Sequence, residues 1–314
     1  MKKVCILFPR LDCTFKEGPV PETRGEIPPI RVHWQNMCNY LIQMHRSDYM
    51  SVTVIEKPLW QFTTEFVESL DADIIYVPHK STDTFPVREK NILYYMQSVF
   101  PWQFYIDTKG FAGGASFYPL IIEDRPISIN SFYAKMQIRA NLGESKFSQP
   151  PSQILNLPKK FFFFPCQIPH DETIKYHSDI SVLDALVATC KATEKLNVPL
   201  IVKGHPVNPD SMIPLHQATY KFKHVIWVDN VNIHDIISRA IAVVVVNSGV
   251  GMETLLHKKP VVTFGRAEYD CVTNKATVDD IVDVLQNLKF DEKKVVAFFE
   301  TWYEITHDTR IMNI

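Results

Sequence analysis

Several signatures that would assign this protein to a class at once are missing from its sequence. The six cysteines among 314 residues include no C-x-x-C pair, so zinc-ligand spacing is absent and a disulfide framework is not expected. A formal net charge of −2 argues against nucleic acid as a partner. No apolar run approaches the roughly 20 residues of a membrane span, and Val4–Phe8 is too short for a signal peptide. We therefore expect a cytoplasmic protein without a transmembrane segment.

Two cofactor signatures are also missing. No G-x-G-x-x-G follows a predicted strand, which disfavours a dehydrogenase. Asp71-Ala72-Asp73 has the spacing with which a metal-dependent transferase holds a divalent ion, but it precedes the predicted strand Ile74–Val77. It would therefore lie at the wrong end of the sheet. We interpret it as a turn between a helix and a strand, and we expect neither a metal nor another cofactor.

Predicted strands and helices alternate along the chain in two series. In the first series Val4–Phe8, Val52–Glu56 and Asp73–Val77 are predicted strands separated by helical patterns, an order typical of a Rossmann-like parallel sheet. Gly143–Pro158, rich in Ser, Gln and Pro, is interpreted as an interdomain linker. The second series follows it, with predicted strands at Phe161–Phe164, Leu200–Lys203, Val225–Val228, Ala242–Val246 and Val261–Phe264.

Residues 242–265 are the most informative segment of the chain. Ala242–Val246 is apolar throughout and suits a strand buried on both faces of a parallel sheet. Asn247–Gly249 interrupts this strand, and a short predicted helix, Val250–His257, follows. The free N–H groups and the positive dipole end of such a helix favour an anionic ligand, typically a phosphate.

Two side chains of this turn suit a nucleotide. Ser248 can cap the helix or donate a hydrogen bond to the ligand, and Glu253 is within reach of a ribose or sugar hydroxyl. The alternative is a capped turn between strand and helix that binds nothing.

Two further loops follow predicted strands of the same series. Gln167 offers an amide donor and acceptor to a base edge or a sugar hydroxyl. Lys203 and His205 directly follow another strand and can neutralise a diphosphate or a sugar carboxylate. Because open parallel sheets bind ligands at the carboxyl ends of their strands, we expect the three loops to share one rim. The alternative for a histidine at a strand end is a hydrogen-bonded structural role.

Taken together, these motifs resemble the capsule polysaccharide biosynthesis family, which contains retaining β-Kdo transferases of GT-B architecture. The matching segments, FPCQIPHDETI, IVKGHP and VNSGVGMETLLHKKPVVTFG, occur in this order within residues 160–270. The resemblance implies that His205 and Ser248 contact the phosphate of a donor nucleotide and that Glu253 contacts its ribose. The donor-binding residues predicted in this way are Gln167, Asp171, Lys203, His205, Asn247, Ser248, Gly249, Val250, Gly251 and Glu253.

The two series and the resemblance predict the domain layout. The expected fold is α/β of the GT-B class, in which two Rossmann-like domains with parallel sheets face a central cleft. Residues 1–150 are the predicted acceptor domain and residues 151–290 the predicted donor domain. Residues 291–314 form a terminal helix that is free to pack back on the first domain.

The first series matches the family less closely. Family members carry an acidic pair that runs into Gly-Phe and a Gly/Ser-rich loop, and one acid attacks the sugar. Here Asp107 stands alone, and Thr108-Lys109 separates it from Gly110-Phe111. A carboxylate at this place can attack an anomeric carbon, as in a retaining enzyme, or deprotonate the acceptor in an inverting one. The alternative is an aspartate that caps a loop.

The remaining site predictions follow from this loop. Asp107, Lys109 and His205 are the predicted catalytic residues. Trp102 and Phe111 are candidates for stacking on an acceptor sugar, the alternative being packing in the core.

The sequence therefore predicts a metal-independent glycosyltransferase that moves a sugar from a nucleotide sugar to a hydroxyl of a growing surface polysaccharide or glycan. The donor is CMP-Kdo or a UDP-sugar. Kdo is acidic and needs further cations, for which Arg10, Arg24, Arg31 and Lys109 are available, whereas Gly249 and the altered acidic loop permit a UDP-sugar. Two alternatives remain: a nucleotide-sugar epimerase of GT-B fold, and a non-catalytic glycan-binding or export-related protein.

Overall fold

The computed structural model describes residues 1–10, 29–46, 49–87, 90–154, 156–206 and 208–311, the side chains of residues 29–31 excepted. Of the arginines considered for an acidic donor sugar, Arg24 and the side chain of Arg31 lie outside these residues. The chain divides into two compact units, Met1–Tyr118 with Glu304–Ile314, and Pro119–Tyr303.

The first unit is built on a six-stranded sheet. Its strands are β1 (Lys2–Pro9), β2 (Met50–Lys57), β3 (Ile74–Pro78), β4 (Ile92–Gln97), β5 (Gln103–Asp107) and, at the end of the chain, β12 (His307–Asp308); its helices are α1 (Pro29–Met44) and α2 (Thr64–Glu68). The sheet order is β12-β5-β4-β3-β1-β2, and β1 to β4 run parallel. This 2-1-3-4 order is that of a doubly wound, flavodoxin-like sheet.

Strand β1 shows why this sheet lies between two layers. Ile6 packs with Trp34 and Leu41 of α1 on one face of the sheet, and all three are buried. Leu7 points to the other face and packs with Val67 of α2. Because successive side chains of a strand point to opposite faces, an unbroken apolar strand can be buried only when both faces are covered.

The second unit contains a wholly parallel sheet. Its strands are β6 (Phe162–Pro165), β7 (Leu200–Lys203), β8 (Val225–Val228), β9 (Val243–Val245), β10 (Val261–Thr263) and β11 (Asn274–Lys275). Its helices are α3 (Phe132–Asn141), α4 (Glu172–His177), α5 (Val182–Lys195), α6 (Ile213–Thr219), α7 (Ile233–Ile237), α8 (Val250–Leu256), α9 (Ile281–Gln286) and α10 (Glu292–Ile305), whose last two residues belong to the first unit.

The strand order of this sheet locates its ligand-binding edge. From one side it reads β8-β7-β6-β9-β10-β11, which is the 3-2-1-4-5-6 order of the Rossmann fold. The order reverses between β6 and β9, where parallel sheets of this kind bind their ligands. The four phenylalanines at 161–164 and the valines of β9 are buried, as expected for central strands of such a sheet.

Three details differ from the expectations. Strand β5 runs antiparallel to β4, so the first sheet is parallel only in part. Helix α3 belongs to the second unit, where the Glu300 carboxylate of α10 accepts the N–H groups of Phe132 and Tyr133. The contacts therefore place residues 119–150 with the second unit, and α10 packs on α3 there. Only the short strand β12, beyond α10, pairs with the first sheet.

The Asp71–Asp73 segment forms the turn that the sequence predicted, between α2 and β3. A side-chain oxygen of Asp73 accepts the N–H of Lys3 at 2.7 Å, and Asp71 forms an ion pair with the Lys3 ammonium. Both carboxylates therefore tie this turn to the start of β1.

Candidate functional site

Three loops of the second unit meet at the carboxyl edge of its sheet. They follow β6, β7 and β9, and β6 lies between the other two strands. Pro165 at the end of β6 is in register with Lys203 at the end of β7, and the N–H of Cys166 donates to the Lys203 carbonyl at 2.8 Å. The structure thus brings together the three loops that the sequence singled out.

Gln167 and Asn247 connect two of these loops. The Gln167 amide donates to Asn247 Oδ1 at 2.9 Å, and the Asn247 N–H donates to Gln167 Oε1 at 3.0 Å. Asn247 also donates to the Thr173 carbonyl at 2.9 Å. Both side chains are buried. Their pairing offsets the free energy that it costs to remove these polar groups from water. They fix the rim in place, and contact of either residue with a ligand stays a prediction.

Asp171 begins helix α4. Its Oδ1 accepts the N–H of Thr173 at 2.8 Å and the hydroxyl of the same residue at 2.6 Å, which is an N-cap arrangement. Burial lowers the pKa of His205, and the Asp171 charge opposes this shift. The loops after β6 and β7 are therefore coupled electrostatically.

Lys203 and His205 are both held in poorly hydrated positions. Burial lowers the pKa of Lys203, and Asp229 opposes this shift. Burial likewise lowers the pKa of His205 to about 4; Asp171 opposes the shift, whereas Lys203 and Lys146 add to it. At neutral pH His205 is accordingly a neutral imidazole, which can donate a hydrogen bond to an anionic oxygen without contributing charge. The charge at this point comes from lysine.

The turn after β9 is organised around Ser248. Its hydroxyl accepts the N–H of Val250 at 3.3 Å, and its carbonyl accepts the N–H of Gly251 at 2.9 Å and the hydroxyl of Tyr269. Gly249 is the N-cap residue of α8. The helix-start geometry predicted from the sequence is present, and Tyr269 is a member of it that the sequence did not reveal.

Tyr269 explains why residue 251 is glycine. A Cβ at position 251 would lie 2.3 Å from Cζ and Oη of the buried Tyr269 ring, closer than real contacts allow. We expect Gly251→Ala to displace this ring, break its bond to Ser248 and cost about 2–4 kcal/mol in the free energy of unfolding, measured with urea. Gly204→Ala is the matched control in a neighbouring loop, since its nearest contact would be an ordinary 3.4 Å to Met212. Equal stability of the two variants would contradict this account of the turn.

Glu253 is an acid buried within the site. Only 5% of its surface is exposed, and burial raises its pKa, opposed by nearby His234, the Ser145 hydroxyl and Lys146. The Ser145 hydroxyl donates to Glu253 Oε1, and the Lys146 N–H also donates to this carboxylate. Glu253 therefore already accepts hydroxyl and N–H donors, which is the chemistry that ribose binding requires.

Residues 145–147 contribute to this site, although their composition predicted a linker. Besides the two donors to Glu253, the Phe147 ring packs edge-on against His205 with centroids 5.5 Å apart. A lysine and an aromatic residue within this Ser-, Gln- and Pro-rich stretch are the feature of the sequence that could have indicated a role other than that of a linker. Their partners lie far along the chain, and the sequence does not show this proximity.

Asp107 of the first unit is only 4% exposed and lies at the end of β5. Its Oδ1 accepts the N–H groups of Lys109, Gly110 and Ser116 at 2.7, 2.8 and 2.9 Å, and its Oδ2 accepts the Ser116 hydroxyl. This carboxylate organises the loop that follows it, as the loop-capping alternative requires. The two oxygens nevertheless differ: among the residues that the structure describes, backbone N–H groups hold Oδ1, whereas the partner of Oδ2 is the rotatable hydroxyl of Ser116.

The other predicted residues of the first unit take part in its packing. Phe111 is 1% exposed and lies against the His79 ring, with centroids 5.9 Å apart. The Arg310 guanidinium lies over the Trp102 ring at 4.3 Å. The Lys109 side chain is exposed. Acceptor stacking by either aromatic ring stays a prediction, since both rings have other partners here.

A sequence model of the family described as "Capsule polysaccharide biosynthesis protein" matches residues 122–287, more than half of the chain. The chain belongs to this family. The match spans all three loops of the second unit, so the capsule polysaccharide biosynthesis resemblance inferred from the motifs is confirmed.

One solved structure shows the same architecture as this member of the capsule polysaccharide biosynthesis family. KpsC of Thermosulfurimonas dismutans, a beta Kdo 2,7 transferase, is 17% identical with a TM-score of 0.53, over 95% of this chain and 90% of that one. This likeness shows the fold, and the predicted α/β GT-B class is confirmed. Two further solved structures match with lower TM-scores. The KpsC beta Kdo 2,4 transferase of the same organism is 14% identical with a TM-score of 0.48, over 83% of this chain and 85% of that one. The UDP-GlcNAc 2-epimerase of Methanocaldococcus jannaschii is 10% identical with a TM-score of 0.41, over 97% and 99%.

No match to a curated protein was found. Among the described residues of this family member, no helix combines the length and the apolar character that crossing a membrane requires.

Proposed function

We propose that this protein is a glycosyltransferase that moves a sugar from a nucleotide-sugar donor to a hydroxyl of a growing surface polysaccharide or glycan. One observation carries the proposal: Lys203 at the end of β7, His205 in the loop after it and Glu253 on α8 belong to the elements that meet at the switch point of the second sheet. A lysine, a neutral imidazole and a buried carboxylate are complementary to the phosphate and ribose of a nucleotide. Family membership supports the same conclusion.

The charged and polar groups of the site can stabilise a nucleotide as it leaves the sugar. When the bond between the anomeric carbon and the phosphate oxygen breaks, negative charge grows on that oxygen. The Lys203 ammonium and the His205 N–H can stabilise this charge, and low hydration strengthens both interactions. This arrangement supports a metal-independent reaction, in which protein groups meet the charge of the leaving nucleotide.

For the first unit we propose Asp107 as the reacting carboxylate, through Oδ2. Release of the Ser116 hydroxyl would free this oxygen while backbone N–H groups hold Oδ1. Attack on the anomeric carbon would give a retaining reaction, and removal of the acceptor proton an inverting one. The same bonds favour a second candidate, the non-catalytic glycan-binding or export-related protein, because they give the Asp107 carboxylate a structural role as the cap of its loop.

A nucleotide screen tests the proposal. We expect one of CMP, UDP and GDP to raise the melting temperature at millimolar concentration, because a ligand that binds only the folded state stabilises it. CMP would indicate a Kdo-type donor and UDP a UDP-sugar. The matching nucleotide sugar, incubated with and without acceptor glycan, then separates the candidates: product without acceptor indicates an epimerase, and binding without product the non-catalytic alternative. Failure of all three nucleotides to bind would overturn the donor-site assignment.

A further inference from the structure

The chain between α3 and β6 makes contacts with two of the three loops of the site. Ser145 and Lys146 donate to Glu253 on α8, and Phe147 packs against His205 after β7. Gln149 continues the attachment, since its Oε1 accepts the N–H of Ile233 at 3.0 Å. Residues 145–149, which we term the rim segment, are thus held to the donor-binding unit by side chains along their length.

Lys146 brings a second lysine charge into the site. Asp171, Glu253 and Glu268 each act on its ammonium through Coulombic attraction, and its charge in turn lowers the pKa of His205. Groups from the rim segment and from all three strand-end loops therefore interact with one another electrostatically.

We propose that the Lys146 ammonium binds a phosphate oxygen of the donor nucleotide, beside His205 and Lys203. This inference rests on the proposed function and assigns one more group to the same site. The geometric reason is the position of the Lys146 backbone, whose N–H donates to Glu253, the carboxylate proposed to bind the ribose. In a nucleotide the ribose and the phosphate are directly bonded, so a side chain that starts beside the ribose carboxylate is placed to reach the phosphate.

Burial lowers the pKa of Lys146, and the attraction of its acidic neighbours Asp171, Glu268 and Glu253 opposes this shift. A lysine whose folded-state pKa lies below the unfolded value of 10.5 destabilises the fold at neutral pH, and this penalty vanishes only above the unfolded pKa. A bound phosphate would provide the compensating anion.

The test therefore uses variants whose stability and affinity should change in opposite directions. In Lys146→Met the charge is absent and the apolar stem remains, so the melting temperature should equal or exceed that of the wild type. Affinity for the nucleotide that the wild type binds should fall about 10-fold or more by calorimetry, because a charge-assisted hydrogen bond is lost. Affinity for the corresponding nucleoside, which lacks the phosphate, should stay within about 2-fold. Lys146→Arg should retain most nucleotide affinity, and Lys160→Met, at an exposed lysine before β6, should retain all of it.

Four other results would each contradict the assignment of Lys146 to the phosphate. Unchanged nucleotide affinity in Lys146→Met overturns the inference and leaves the proposed function intact. Equal losses for nucleotide and nucleoside would mean that the lysine acts through Glu253 and not on the phosphate. Weaker binding of the intact nucleotide sugar alone would place the ammonium on an acidic sugar, which also overturns the phosphate assignment. A wild type that binds no nucleotide defeats both proposals together.

Discussion

Asp107→Ala is expected to destabilise the first unit by about 3–5 kcal/mol, because three backbone N–H groups and a hydroxyl lose their charged acceptor. In the part of the chain that the structure describes, the Asp107 carboxylate is the acceptor of the N–H groups of Lys109 and Gly110. Urea unfolding followed by tryptophan fluorescence measures the effect. Wild-type stability in this variant would show that these bonds are not formed in solution.

Asp107→Asn separates the structural role of this residue from a chemical one. Its amide oxygen can still accept the three N–H groups that Oδ1 accepts, so most of the stability should remain. The amide nitrogen can neither attack an anomeric carbon nor take a proton, so transfer should fall by at least about 100-fold. A folded Asp107→Asn protein that retains turnover would remove Asp107 from the mechanism. Ser116→Ala is the companion variant, since it frees Oδ2 and leaves the carboxylate in place.

The candidate site at the carboxyl edge of the second sheet could be predicted because its signals are local. An unbroken apolar run ending in Asn247–Gly249 indicates a buried parallel strand and the turn after it, and this pattern needs no distant partner. The motifs after β6 and β7 are likewise short and directly follow an apolar strand. The three loops lie at one edge of the sheet because of the Rossmann strand order, which the alternation of strands and helices along the sequence already favours.

The contacts that complete the site are not local and could not be inferred in this way. Ser145 and Glu253 are 108 residues apart, and Gln167 and Asn247 are 80 apart. Nor does a five-residue strand such as β5 show its direction in its composition, since side-chain alternation is the same in parallel and antiparallel strands. The rim segment contains two serines and a glutamine and directly precedes Pro150 and Pro151, a composition typical of a linker, and its contacts with the site become visible only in the folded structure.

Glu253→Gln is expected to lower nucleotide affinity by about 10- to 100-fold, which corresponds to the roughly 1.5–3 kcal/mol of a hydrogen bond to a charged group. Glutamine keeps a side-chain oxygen that can accept the Ser145 hydroxyl and the Lys146 N–H, so the rim segment should stay attached. Because burial raises the pKa of Glu253, its charge destabilises the fold as pH rises through that pKa, and the neutral variant should be no less stable at pH 7.

A 2′,3′-dideoxynucleotide identifies the group that Glu253 binds. If the carboxylate accepts ribose hydroxyls, the wild type should bind the dideoxy compound more weakly than the ribonucleotide, and Glu253→Gln should bind both about equally. The ionised carboxylate is the better acceptor, so wild-type affinity for the ribonucleotide should fall as pH drops through the raised pKa. The glutamine variant should lack this component, and the remaining pH dependence should match that of the nucleotide phosphate. Equal loss of affinity for both compounds would mean that Glu253 orients the rim segment and does not contact the ribose.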